Sequence, residues 1–142
     1  MKKVYTAHAT AIGGRGGGTV KTADGQLDLT MDHPKEMGGK GEHNNPEQLF
    51  AAGYSTCYLG AIKAVGGKQT PPLRIAPEAT VTAHVSFADR EDNVGFTIIA
   101  ELDVSLPGIG KAKAEELAAK AHDVCPYSWL IRKPHEVKTT IV

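Results

Sequence analysis

The chain of 142 residues holds only two cysteines, each in a distinctive segment. Cys57 ends the run Asn44-Asn45-Pro46-Glu47-Gln48-Leu49-Phe50-Ala51-Ala52-Gly53-Tyr54-Ser55-Thr56-Cys57, and Cys125 lies in His122-Asp123-Val124-Cys125-Pro126-Tyr127-Ser128. Two thiols far apart in sequence, one inside a helix and one beside a helix-breaking proline, suggest a redox pair brought together by folding. In a reducing compartment the alternatives are buried inert thiols or metal ligands. A cysteine on the small face of a buried helix is by default a minor hydrophobe. Cys57 lies some three turns into its helix, where the helix dipole no longer acts, so a nucleophilic Cys57 needs a side-chain cation to lower its pKa.

Arg15 is the candidate cation. It is one of four arginines and sits in Gly13-Gly14-Arg15-Gly16-Gly17-Gly18, a bend that can aim it inward or leave it solvated. A phosphate-binding loop is the weaker reading, because a Gly-x-Gly-x-x-Gly pattern would need glycine where Thr19 stands. Glu47, at the second position of the Cys57 helix, favours the helix dipole. It could also hold Arg15 by a bidentate ion pair and fix the guanidinium fork. Cys125 precedes proline, so its backbone favours a bend. A bend can carry its sulfur into disulfide range, with Cα atoms ~4.4–6.8 Å apart. His122, Cys125 and Cys57 together would make only a partial zinc site.

The elements that must position these residues are legible in the pattern. Val4 to Ala11 alternates as a half-buried strand. Thr19 to Thr22 and Gln26 to Met31 flank Ala23-Asp24-Gly25, a hairpin signal, and Asp32 to Asn44 reads as a loop. Asn45 as N-cap, Pro46 at the first helical position and Gln48 as capping-box partner predict a helix to about Val65, stopped by Gly66-Gly67. Gly53, Cys57, Gly60, Ala61 and Ala64 share one face of it, which predicts close packing at its centre. Gln69 to Pro77 is a proline-rich connector. Glu78 to Ala88 and Val94 to Leu106 read as two long strands. Lys111 to Val124 is an amphipathic helix with Ala114, Leu117, Ala118 and Ala121 inward. Pro126 ends it or starts a short helix through Ile131, and Val137, Thr139 and Ile141 predict a final strand. The whole is one α+β domain over residues 1–142, with antiparallel sheets around two central helices.

Composition narrows the function. Sixteen basic side chains balance sixteen acidic ones, and no basic cluster exceeds Lys2-Lys3, which argues against nucleic-acid binding. No apolar run approaches the ~20 residues of a membrane span. The start alternates like a strand instead of a signal core, so a cytoplasmic location is expected.

The same residues carry a family resemblance. The chain resembles the osmotically inducible and organic hydroperoxide resistance (OsmC/Ohr) family, specifically its organic hydroperoxide resistance branch, over essentially its whole length. The likeness rests on Tyr5-Thr6-Ala7 with Gly13-Gly14-Arg15, on Asn45 to Tyr54, on Cys57, on Leu106-Pro107-Gly108, and on Val124-Cys125-Pro126-Tyr127-Ser128. The resemblance implies a thiol peroxidase for organic hydroperoxides, with no bound metal or flavin. It implies Cys57 as the peroxidatic cysteine, Cys125 as the resolving one, and Arg15 with Glu47 as the activating pair. It also implies an intertwined homodimer with active sites at the subunit interface, re-reduced by dihydrolipoyl groups on lipoylated proteins. Phe50, Tyr54, Tyr127 and Trp129 are candidates for an apolar substrate pocket or, equally, for core. After Ser128 the chain departs from the family pattern with Trp129-Leu130-Ile131, which leaves the pocket shape open. Two other functions stay in play: a redox-sensing module that uses the disulfide as a switch, and a hydrolase with Cys57 as nucleophile.

Overall fold

Reciprocal capping starts the helix that carries Cys57. In a computed structural model, which describes residues 2–133 and 137–141, the Asn45 N–H donates to Gln48 Oε1 at 3.0 Å and the Gln48 N–H to Asn45 Oδ1 at 2.9 Å. Two orphan donors of the first turn are thereby satisfied, and the helix, α1, runs Pro46–Gly67. Its expected end lay within two residues of the observed one.

Before α1, three short antiparallel strands form one sheet in the order β1 (Ala9–Ile12), β2 (Thr19–Thr22), β3 (Asp28–Thr30). Gly25, at φ +72°, turns the β2–β3 hairpin where Asp24-Gly25 predicted it. The 32–44 segment is a loop, as expected, with one 3-10 turn at Lys35–Met37. It is pinned by Asp32, whose carboxylate accepts the N–H groups of His33 and Gly41 at 2.8 and 3.1 Å.

After α1 come β4 (Thr80–Asp89), β5 (Phe96–Ser105), α2 (Lys111–Val124) and α3 (Pro126–Arg132). The β4–β5 ladder pairs Thr80 with Ser105 through to Asp89 with Phe96. Val81, Ala83, Val85 and Phe87 therefore face Val104, Leu102, Ala100 and Ile98 along one side of the ribbon, as period-2 alternation requires. Pro126 both ends α2 and opens α3, and Cys125 is the extended residue between them, at φ −70° and ψ 119°. That conformation is the one a residue before proline prefers.

Contacts group the chain into two compact units, one up to Phe50 and one from Ala51. The core of the second unit joins Tyr54, Tyr58, Ala61, Ile62 and Val65 of α1 to Leu117 and Ala121 of α2, with Ile75, Ala79, Leu106 and Cys125. Among the described residues no helix is long and apolar enough to cross a membrane.

Three expectations need correction. The buried stripe of α1 is led by its tyrosines, whereas Gly60 and Ala64 of the small face are exposed. The first strand covers only Ala9–Ile12; residues 4–8 are exposed and lie outside it, although His8 O accepts the Ala23 N–H at 2.9 Å. Residues 137–141 likewise form no strand, and Val137 and Ile141 are 84% and 92% exposed. Alternation marks a segment able to form a strand, but a ladder also needs a partner edge, and among the described residues no ladder forms on these segments.

Candidate functional site

The two cysteines meet. Cys57 Sγ lies 3.2 Å from Cys125 Sγ, and both are free thiols. Cys57 is half-buried on α1, and Cys125 is fully buried at the α2–α3 corner. The corner is tied from both sides: the Cys125 N–H donates to Ala121 O at 2.8 Å, and the Trp129 N–H donates to Cys125 O at 2.9 Å.

The electrostatics around Cys57 are mixed. Burial pushes its thiol pKa up, and the adjacent Cys125 adds to the rise, while the backbone N–H of Tyr127 opposes both by donating towards the sulfur. That N–H belongs to the first turn of α3, where amides have no partner within the helix. The net direction is upward, away from the thiolate.

Within the first unit, Arg15 and Glu47 form the bidentate pair that their side-chain types predicted. Arg15 Nη2 donates to Glu47 Oε1 at 2.7 Å and Nη1 to Oε2 at 3.4 Å. Their side chains are 30% and 13% exposed, so the carboxylate is the better sheltered partner. Gly18 makes the Arg15 bend possible, because a Cβ there would fall 2.3 Å from both Ile12 O and Gly14 O. The solvated-arginine reading of this bend is not what the chain adopts.

The four pocket candidates sit differently. Phe50 is half-buried. Tyr54 is 6% exposed, and its ring stacks on Tyr127 at 6.0 Å between centroids. Tyr127 lies against α1 where Gly53 has no side chain; a Cβ at Gly53 would come within 2.7 Å of the Tyr127 hydroxyl. Trp129 is exposed, with Lys133 Nζ 4.1 Å above its ring.

Sequence reasoning missed Ser128 and Tyr58. Ser128 Oγ is 2.9 Å from Tyr54 Oη and 3.0 Å from His122 Nδ1. Tyr58 donates its hydroxyl to Ala118 O at 2.6 Å and packs on the His122 ring at 4.7 Å. Burial is the main reason that its own pKa is pushed up to about 12. Serine and tyrosine are too common to mark a site by type, and only burial distinguishes these two.

Comparison with known proteins identifies the family. Residues 39–140 match the family model described as OsmC-like protein. The chain is 43% identical over 141 residues to an organic hydroperoxide resistance protein of Xanthomonas axonopodis pv. citri, covering 99% of this chain and 96% of that one. Among solved structures, an organic hydroperoxide resistance protein OsmC from Legionella pneumophila superposes with a TM-score of 0.83 at 42% identity, covering 92% of each chain. OhrB of Bacillus subtilis, also an organic hydroperoxide resistance protein, superposes with a TM-score of 0.81 at 36% identity, covering 93% of this chain and 94% of that one.

Proposed function

This chain belongs to the OsmC-like family, in its organic hydroperoxide resistance branch, and from that membership we propose that it is a thiol peroxidase that reduces organic hydroperoxides to alcohols. Its coarser role, in resistance to organic peroxide stress, follows from the relatives it matches over nearly full length. The observation that carries the finer reading is the approach of Cys57 Sγ to Cys125 Sγ at 3.2 Å.

In the proposed cycle the Cys57 thiolate attacks the terminal oxygen of the hydroperoxide. A sulfur–oxygen bond forms, the oxygen–oxygen bond breaks, and an alkoxide leaves to be protonated as the alcohol. Cys125 then displaces hydroxide from the Cys57 sulfenic acid, giving a disulfide and water. Dihydrolipoyl groups on lipoylated proteins return two electrons and two protons by thiol–disulfide exchange.

An ordinary thiol of pKa ~8.5 is only about 3% ionised at pH 7, so full ionisation gains roughly 30-fold at most. Burial and Cys125 set Cys57 further from ionisation. The main acceleration is therefore assigned to Arg15, which positions the peroxide and stabilises charge on the departing oxygen, with Glu47 fixing its fork. Phe50, Tyr54, Tyr127 and Trp129 are proposed as apolar contributors that favour organic hydroperoxides over hydrogen peroxide.

We assign the assembly as a homodimer working in the cytoplasm, with no bound metal or cofactor. Val4, Tyr5, Ile12, Phe96, Ile99 and Leu130 are all more than half exposed in the single chain, which supports burial against a second copy. The test of the reading is consumption of tert-butyl hydroperoxide with dihydrolipoamide as reductant. Wild type should turn over many times, and Cys57→Ser should not. Retained multiple turnover in Cys57→Ser would overturn the mechanism.

A further inference from the structure

A buried hydroxyl touches both cysteine-bearing segments. Ser128, 1% exposed, follows Cys125 by three residues on α3. One of its partners, Tyr54, precedes Cys57 by three residues on α1, and the other, His122, precedes Cys125 by three residues on α2. A hydroxyl carries one proton and two lone pairs, so both contacts can be served together. One arrangement that serves both has Tyr54 Oη–H donating to Ser128 Oγ and Ser128 Oγ–H donating to Nδ1 of a neutral His122 protonated on Nε2. Burial is the main influence that keeps this imidazole uncharged, with the charge of Arg132 acting the same way against Asp123. The ring is held in turn by Tyr58, itself anchored to the backbone of α2.

We propose that Ser128 is a positioning residue for the resolving step: its hydroxyl ties the Cys57 segment to the Cys125 corner, so that the sulfenic acid is captured by Cys125 before a second hydroperoxide reaches it. The inference rests on the thiol-peroxidase reading above. Two fates compete for the sulfenic acid. In capture, a sulfur–sulfur bond forms and a sulfur–oxygen bond breaks, with hydroxide leaving and taking the Cys125 proton as water. In overoxidation, a second hydroperoxide adds an oxygen to Cys57, giving a sulfinic acid and an alcohol, with sulfur losing two electrons to the broken oxygen–oxygen bond. A 3.2 Å separation favours capture only while the corner stays in place.

The test uses the reduced full-length protein, stopped-flow consumption of one equivalent of tert-butyl hydroperoxide, and mass spectrometry of Cys57 after an excess. Ser128→Ala and His122→Leu should change the first oxidation by less than about twofold, since neither touches the attacking sulfur. At a fixed hydroperoxide excess, both should raise the sulfinic fraction of Cys57 by roughly tenfold. His122→Asn, whose amide oxygen can replace Nδ1 as acceptor, should restore the wild-type fraction. A merely structural role would give no such rescue. If Ser128→Ala does not fold, the two His122 variants carry the comparison. Wild-type partition in both Ser128→Ala and His122→Leu would overturn the inference. Failure of wild-type protein to consume hydroperoxide would instead overturn the peroxidase reading beneath it.

Discussion

The sulfur proposed to attack, Cys57 Sγ, sits in an environment that resists ionisation. Burial raises the Cys57 pKa, Cys125 raises it further, and only the Tyr127 N–H opposes them among the influences resolved at this thiol. A thiol with a raised pKa is mostly protonated at pH 7, and the thiolate is the nucleophile. The rate of the first oxidation should therefore climb with pH from 7 through the ordinary cysteine range, as measured by stopped-flow consumption of hydroperoxide; a flat profile would show that the thiol is already ionised. Arg15→Lys should lower that rate by roughly 10²-fold, because a single ammonium cannot supply the planar fork. Near-normal turnover would exclude the role given to Arg15. Glu47→Gln separates function from folding. A partly exposed ion pair contributes only about 0.2–1 kcal/mol, so melting should barely move while activity falls. The types and neighbours of Cys57, Cys125, Arg15 and Glu47 marked them as candidates and left inert alternatives open; the roles given to them come from the family resemblance. Ser128 was not marked, since the role proposed for it lies in two contacts that only folding creates.

At the scale of elements, capping and close approach decide what the helices tolerate. Asn45→Ala removes the acceptor of the Gln48 N–H and should cost about 0.5–2 kcal/mol in a denaturant melt. Gly66→Ala is a sharper case, because alanine is the better helix former by ~1 kcal/mol. Its Cβ would nonetheless fall 2.7 Å from Leu73 O, in a backbone segment fixed by the Leu73 N–H donating to Gly66 O at 2.9 Å. Overpacking of ~1–3 kcal/mol should exceed the propensity gain, giving a net loss of stability. The helices and the β4–β5 ribbon were readable because caps, prolines and period-2 alternation are local signals. The small face of α1 misled: small residues permit close approach but do not create it, and Gly60 has nothing within 4 Å of an added Cβ.

At the scale of the molecule, the terminal segments that look like strands without forming them have one physical reading with the exposed apolar residues of β5 and α3. The proposed homodimer would cover both with a second copy of the chain, so light scattering at micromolar concentration should give twice the chain mass. A monomer under those conditions would contradict the proposed assembly. Strand pairing of the termini was not legible in the sequence, because alternation does not say whether a neighbouring edge exists. The central claim is narrower, that Cys57 attacks and Cys125 resolves. Its most direct test adds one equivalent of organic hydroperoxide to the reduced protein and maps the thiols by peptide mass spectrometry. The account predicts a Cys57–Cys125 disulfide formed as the hydroperoxide is consumed, and a Cys57 sulfenic acid that persists in Cys125→Ser. Consumption of the hydroperoxide with both thiols still free would contradict it.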